Sequence, residues 1–593
     1  MTHVPYLSVV IPTHNVGLWI GETLESITAQ SYEALEIIVV DDHSVDDTTS
    51  IVAGFAARDA RVSLVHAPSS GGGNARNFGS QLAGGKYLVF ADGDDIVPRG
   101  AYASMVASLE ESGSDLAIGD FLKFSSTKTW HPSLNWPAYG QSVQGVTLDT
   151  VPSVIRHRAC WNKVFRREFW NSNRISFPEV ARSNDIVPMT TAMTAAATID
   201  IVRDIVYLYR DRSGPTSMTA RAASSASLLS YFRQEVECAR LLAKLDDPTI
   251  MATYASLVLQ ADGWVHLDRW MLARETDDGL DPDDEAVLAA DVRELLSVMS
   301  GKSFNRIDLN RQLLFALVAA GQFELARSVH RDFIAGEDEA SGTAEFDRWI
   351  EIGSLIADVL TPEHSLGARL IERYLVEPLI RNVASLPPAD VTAMTARIVG
   401  LADTLPTYVD DLNDDTLVVL EAGRNGDTTA LPMLSTLRYS ADLTVDRARA
   451  TGNRLVLTGL MEGVPKDTKV TFMATRRGKR KAQAVGSFIA SGQPTERWTR
   501  TISSRTIARR GVWDFRVKFY ADGVTVSGTL RASASIVPHT FDSLSAMLIR
   551  PTRFAGAAIV VERRPPFVRR VISYGARRLP KGARTAVRSA LRR

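Results

Sequence analysis

The chain has 593 residues, 45% hydrophobic and 23% charged, values near the globular average that exclude a disordered or fibrous class for its bulk and give a prior of about four domains. Two cysteines, Cys160 and Cys238, exclude a disulfide framework and fit a reducing compartment. The formal net charge of −1 conceals an asymmetry: residues 563–593 hold 11 Lys and Arg and no acid, so the rest carries 56 basic against 68 acidic residues, a balance of −12, which excludes a globally basic nucleic-acid binder.

The opening MTHVPYLSVVIPTHN has no basic segment ahead of its short apolar run, so no signal peptide is expected. Nowhere do 18 apolar residues follow one another, so no spanning helix is expected either. Leu7 to Ile11 reads as a strand buried on both faces, followed by Leu18, Leu24 and Ile27 on one helical face. Glu36–Val40, Val62–His66 and Tyr87–Ala91 read as further strands, with helices over Ser50–Ala57 and Asn74–Ala83. This alternation predicts an α/β fold with a doubly wound, mostly parallel sheet over residues 1–221, whose ligands bind beyond the carboxyl ends of the strands. Residues 222–430 read as an α-helical linker or spacer rich in Ala, Leu and Arg. Residues 431–538 change to short alternating segments, with Asp522-Gly523 as a hairpin turn between two of them, and predict a β-sandwich. Residues 539–593 form a basic amphipathic tail.

Polar clusters fall where the strands end. Pro12-Thr13-His14-Asn15 follows the first strand, and its proline argues against the glycine turn of a dinucleotide-binding fold. Asp41-Asp42 ends the second strand and suits either a base or ribose contact, or only an Asx turn or helix N-cap. SSGGGNARN, residues 69–77, is a glycine-rich loop that lets backbone N–H groups approach a phosphate, without the Gly-Lys-Ser/Thr of a Walker loop. Arg76 within it has a fork suited to a diphosphate. Asp92-Gly93-Asp94-Asp95 follows the fourth strand and offers hard oxygen ligands for Mg²⁺ or Mn²⁺; a solvated acidic turn is the bland alternative. Asp185, after Phe177-Pro-Glu, fits a general base or a helix N-cap. Arg210, Arg212, Ser213 and Ser217 lie close together and suit anion clamping, or a surface turn.

The order of these features, with Trp161-Asn-Lys-Val-Phe165 between them, resembles the family 2 glycosyltransferases of the GT-A fold over residues 5–220. The later Gly511-Val-Trp-Asp-Phe-Arg-Val517 segment is similar to immunoglobulin-like domains appended to cell-wall teichoic-acid glycosyltransferases. The resemblance implies that Pro12, Thr13 and His14 line the nucleobase pocket, with His14 where the family usually has Tyr. It implies that Asp41 and Asp42 contact the uracil or ribose, and that Arg76 contacts the nucleotide. Asp92 and Asp94 become the DxD motif, binding nucleotide and Mn²⁺ or Mg²⁺, with Asp94 nearer the metal. Asp185 becomes the catalytic base, with Asn184 in place of the family's Glu and Ser69 where many relatives carry Asn. Arg210, Ser213 and Ser217 fall in the lid over the diphosphate. The implied reaction is an inverting, metal-dependent transfer from a nucleotide-sugar, a UDP-sugar, to a polysaccharide, teichoic-acid-like or lipid-linked acceptor. The alternative is a catalytically degenerate GT-A scaffold in envelope assembly, motivated by Asn184, Ser69 and His14. The expected place is cytoplasmic, on the inner face of the membrane, with residues 563–593 on its anionic surface. No nucleic-acid partner is expected, and a homo-oligomer is left open.

Overall fold

The computed structural model describes residues 6–180, 183–212, 225–272, 281–299, 301–335, 343–361, 363–406, 412–451, 454–476, 482–503, 512–532, 547–551 and 559–563. The chain divides into two compact units, residues 1–338 with 354–367, and residues 339–353 with 368–593. The helical stretch expected over 222–430 is therefore shared between them.

The first unit is built on a nine-stranded sheet. Its strands are β1 (Leu7–Thr13), β2 (Leu35–Asp41), β3 (Val62–His66), β4 (Tyr87–Phe90), β5 (Leu116–Phe124), β6 (Thr129–Trp130), β7 (Val143–Val146), β8 (Lys163–Arg166) and β9 (Ile199–Arg210). The order is β3-β2-β1-β4-β8-β5-β9-β7, with β6 beside β5. The first four are mutually parallel. Beyond them the sheet is mixed: β8 runs antiparallel to β4 and β5, while β5 and β9 are parallel. The parallel half matches the continuous apolar runs of the sequence, because Leu7, Val9, Val10, Ile11, Ile37, Val39 and Val40 are all fully buried. Helices α1 (Ile20–Thr28), α2 (Thr48–Arg58), α3 (Gly72–Leu82), α4 (Ala101–Ser112), α5 (Arg167–Ser172) and α6 (Ile186–Ala195) connect or flank these strands. Among the described residues the polar clusters singled out in the sequence fall at or just beyond strand ends, or in the first turns of helices.

The same unit continues through α7 (Ser225–Ala243), α8 (Pro248–Gln260) and α9 (Asp262–Leu272) and four further helices ending at Ala335. A buried ion pair joins α7 to the sheet domain: Arg158 donates two bonds to Glu235, of 2.6 and 2.7 Å, and both side chains are essentially inaccessible. Tyr254 of α8 adds its hydroxyl to the same carboxylate at 2.7 Å. Cys238 of α7 places its sulfur 3.6 Å from the carbonyl of Ile186 at the start of α6. His266 stacks on Tyr231 with ring centres 4.2 Å apart, so it is a packed residue of the helical layer.

The second unit contains helices such as Pro388–Thr404 and Asp414–Asn425, and two β-sheets. One sheet orders Thr495–Ser503, Arg454–Glu462, Asp442–Thr451 and Arg531–Ala532. The other orders Ala482–Ile489, Lys469–Arg476, Val512–Ala521, Ile559–Arg563 and Met547–Pro551, with Val524–Thr529 also paired to Val512–Ala521. Phe472 of one sheet meets Trp498 of the other at 5.0 Å, as inner faces of a sandwich do. Asp522 and Gly523 take φ of 46° and 78°, the left-handed pair that a two-residue hairpin turn needs. Among the described residues no helix is long and apolar enough to cross a membrane.

Candidate active site

The site begins where β1 and β2 end side by side, with Thr13 paired to Asp41 in register. Both are buried, and the Thr13 hydroxyl lies 3.4 Å from Asp41 Oδ1. Asp41 also accepts the backbone N–H of Ser44 at 3.1 Å, which closes the turn after β2. His14 Nδ1 lies 2.5 Å from the carbonyl of Asp42, which holds the ring at the mouth of this cleft. Pro12 precedes them on β1, paired with Val40.

Asp42 reaches across to the glycine-rich loop and accepts the N–H of Gly71 at 2.8 Å. Gly71 has φ of 117°, a conformation closed to residues with a Cβ. This fixes the start of α3 over the strand ends. Two turns of α3 then meet the 177–184 segment. Asn77 donates to the carbonyl of Phe177 and accepts its N–H, both at 2.8 Å. A Cβ on Gly73 would stand 2.7 Å from the carbonyl of Pro178, so only glycine permits this approach.

Arg76 points from α3 into the centre. One nitrogen donates to Asp92 Oδ1 at 2.5 Å and the other to Asn184 Oδ1 at 3.2 Å. One guanidinium thus joins the acidic turn after β4 to the residue before Asp185. Ser183 has φ of 53°, a strained conformation for a non-glycine residue just ahead of α6. Asp185 is the N-cap of α6 by position, yet its side chain makes no capping bond. Burial raises its pKa, with Arg76 opposing.

The acidic turn is held from β9. The N–H of Asp92 donates to the Tyr207 hydroxyl at 2.9 Å. Burial and the charge of Asp92 lift Asp94 to about 6, against the pull of Arg212. Asp95 is raised well above the carboxylate range by burial and by Asp94 and Asp92. One of its oxygens is buried and has no hydrogen-bond partner among the described residues.

The two arginines ending β9 divide their work. Arg210 donates through its N–H to Asp95 at 2.6 Å, through Nε to the Asp94 carbonyl at 2.7 Å and through Nη2 to Glu22 at 2.6 Å. Arg212 is the one that meets the Asp94 carboxylate, at 2.8 Å, with its guanidinium 4.8 Å from the Trp19 ring centre. Ser213 and Ser217 lie outside the described residues. The sequence reads Arg212 only as one of two arginines suited to anion clamping, and does not single out Asn77 and Tyr207 as site residues. The two-residue alternation of Tyr207, Tyr209 and Arg210-Asp-Arg212 was the available signal for β9.

Behind the site Lys163, in the Trp161–Phe165 motif, is fully buried. Its ammonium donates to the carbonyls of His157 (3.0 Å) and Ala159 (2.6 Å) and to Asn162 Oδ1 (2.9 Å). Burial lowers its pKa to about 7, with Cys160 and Asp185 opposing.

Three carboxylates in one turn, a guanidinium 12% exposed and a half-buried carboxylate at the start of α6 thus lie at one end of the sheet. Residues 8–172 match the family model described as Glycosyl transferase family 2, and the chain belongs to that family of enzymes. YibD of Escherichia coli, an uncharacterized glycosyltransferase, is 30% identical over 250 residues, 40% of this chain and 71% of its own. The glycosyltransferase GlyG of Streptococcus pneumoniae is 28% identical over 266 residues, 42% of this chain and 86% of its own. Poly(ribitol-phosphate) beta-N-acetylglucosaminyltransferase TarS of Staphylococcus aureus is 27% identical over 237 residues, 38% of this chain and 39% of its own. The solved structure of TarS residues 1–349 with UDP-GlcNAc covers 56% of this chain and 92% of that one at 19% identity, with a TM-score of 0.47.

Proposed function

We propose that this glycosyltransferase moves a sugar, with inversion, from a nucleotide-sugar of the UDP class to a hydroxyl of a cell-surface polymer or lipid-linked glycan. The carrying observation is the reach of Arg76, from Asp92 on one side to Asn184, the neighbour of Asp185, on the other. It supports a cleft in which leaving-group and base functions face a single reacting carbon. Pro12, Thr13 and His14 line the nucleobase pocket, and Asp41 and Asp42 bind the base and ribose. Arg76 and Arg210, with Ser213 and Ser217, serve the diphosphate.

Asp92 and Asp94 are the proposed holders of Mg²⁺ or Mn²⁺. The donor set fits: hard, mutually repelling carboxylates, with an Asp95 oxygen beside them that lacks a partner. Such an ion, when bound, neutralises charge developing on the departing diphosphate. Asp185 accepts the proton of the acceptor hydroxyl as the new oxygen–carbon bond forms and the carbon–diphosphate bond breaks on the opposite face. The polymer named as acceptor in TarS supports the acceptor class.

The test is hydrolysis and transfer assayed over a set of UDP- and GDP-sugars with and without Mn²⁺, with the product anomer read by NMR. Turnover of a UDP-sugar that EDTA abolishes is expected. Retention of the anomeric configuration refutes inversion, and full activity in EDTA refutes the metal.

A further inference from the structure

Each carboxylate of the turn after β4 meets a donor of the chain, but the three donors are not held alike. Arg76, on Asp92, lies inside α3, bonds Asn184 with its other nitrogen and has the Phe177 ring centre 5.5 Å away. Asp95 takes the backbone N–H of Arg210, the last residue of β9. The cation on the Asp94 carboxylate is Arg212, with Nε 2.8 Å from Oδ2. Asp211 donates its N–H to the Phe124 carbonyl at 2.7 Å, so Arg212 stands one residue past that bond to the sheet.

Two contacts place the Arg212 guanidinium: the Asp94 carboxylate and the Trp19 ring, whose centre is 4.8 Å away. The pair is not sealed, because the side chain of Arg212 is 21% exposed and that of Asp94 13%. Arg212 can therefore leave Asp94 by side-chain rotation, whereas Arg76 is tied to a second residue and Arg210 bonds Asp95 through its backbone. A guanidinium and a divalent ion on the same carboxylate oxygen are alternatives, because two cations so close repel. Glu22, three residues on from Trp19, is already held by Arg210 Nη2 at 2.6 Å. Arg212 released from Asp94 thus needs a different anion.

We propose, building on the reading of Asp94 as a metal ligand, that Arg212 is a positioning residue which competes with the divalent ion for Asp94, so that the site takes Mg²⁺ or Mn²⁺ tightly only together with a phosphate-bearing nucleotide. Arg212 gives up the Asp94 carboxylate when the ion is taken, and a diphosphate offers its fork the oxygens that replace it. Nucleotide therefore removes the competitor for Asp94. By linkage, the ion raises nucleotide affinity by the same factor. The ion pair makes metal uptake and donor uptake one cooperative event, and the nucleotide-free chain holds its acidic turn neutralised by its own arginines.

The test measures Mn²⁺ binding to the full chain, without turnover, from the EPR signal of the free ion. Wild type, Arg212→Gln, Trp19→Leu and Asp94→Asn are titrated without nucleotide and with saturating UDP. Without nucleotide, Arg212→Gln is expected to bind Mn²⁺ roughly five- to tenfold more tightly than wild type, and UDP should improve its Mn²⁺ affinity by a correspondingly smaller factor. Trp19→Leu keeps every charge and loosens only the guanidinium, so it should gain about two- to threefold. Damage to the fold weakens metal binding and cannot imitate either gain. Mn²⁺ binding by nucleotide-free Arg212→Gln that is equal to or weaker than wild type overturns the proposal, as does a UDP effect as large as that in wild type. A gain in Arg212→Gln that Trp19→Leu does not share assigns the effect to net charge and overturns it too. Mn²⁺ affinity of Asp94→Asn equal to wild type, with and without UDP, fails the metal reading itself.

Discussion

Glu235→Gln tests whether the helical layer is part of the catalytic unit or a passive spacer. In the wild-type chain Glu235 and Arg158 are 0% and 2% exposed and share two charge-assisted bonds of 2.6 and 2.7 Å. Burial raises the pKa of Glu235, but Arg158 with the Tyr231 and Tyr254 hydroxyls outweighs it, and the net shift is downward. The glutamine keeps the shape but removes the charge. Arg158 is left with Asp262 at 3.7 Å, a carboxylate more than half exposed and therefore weakened by solvent. Breaking one side of a buried pair costs about 3–5 kcal/mol. The residual Asp262 contact and the amide oxygen of the glutamine place the expected loss near the lower end, about 3 kcal/mol. The assay is urea unfolding of the full chain, following the transition of the first unit, because two compact units need not unfold together. The double variant Arg158→Met/Glu235→Leu removes both charges and should recover most of the loss. A loss below about 1 kcal/mol in Glu235→Gln, or a double variant no better than the single one, refutes the reasoning. Because α7 also packs on α6, which begins at Asp185, the single variant should lower turnover more than UDP affinity.

Asp185→Asn should reduce sugar transfer by about 10²–10⁴-fold while UDP binding persists, measured by transfer kinetics and nucleotide titration. Burial raises the pKa of Asp185 and a base must be ionised, so kcat/KM should fall on the acid side at a pH above the usual carboxylate range; the variant's residual rate should lack that limb. Asp94→Asn should lose the stimulation by Mn²⁺, seen by comparing turnover with and without EDTA. Gly73→Ala places a Cβ 2.7 Å from the Pro178 carbonyl, so it should cost about 1–3 kcal/mol in chemical unfolding and lower turnover by displacing the segment before Asp185. The full chain should co-sediment with anionic liposomes at low salt and the 1–562 truncation should not; equal binding by both excludes residues 563–593 as the attachment, and residues 564–593 lie outside the described residues.

What the sequence determined by itself was local in origin. Continuous apolar runs at Leu7–Ile11 and Glu36–Val40 can be buried on both faces only in a covered parallel sheet, and they form β1 and β2. Asp522-Gly523 suits left-handed φ values and turns a hairpin wherever the chain places it. The acidic turn after β4 was legible because three carboxylates directly after an apolar strand form a cluster of hard oxygen ligands, but that it is largely enclosed and not solvated was decided by the tertiary structure. Tertiary structure alone decided which polar groups meet. Arg76 and Asn184 are 108 positions apart, and Arg158 and Glu235 are 77 apart. No periodicity links residues so distant, because their pairing follows from how helices lie on the sheet. The same holds for Arg212 taking Asp94 while Arg210 is spent on Asp95 and Glu22, a division set by the end of β9. The helical pattern from residue 222 announced helices but not their allegiance. A buried ion pair, which gains its strength only when both partners are desolvated together, joins the first of them to the sheet that carries the site.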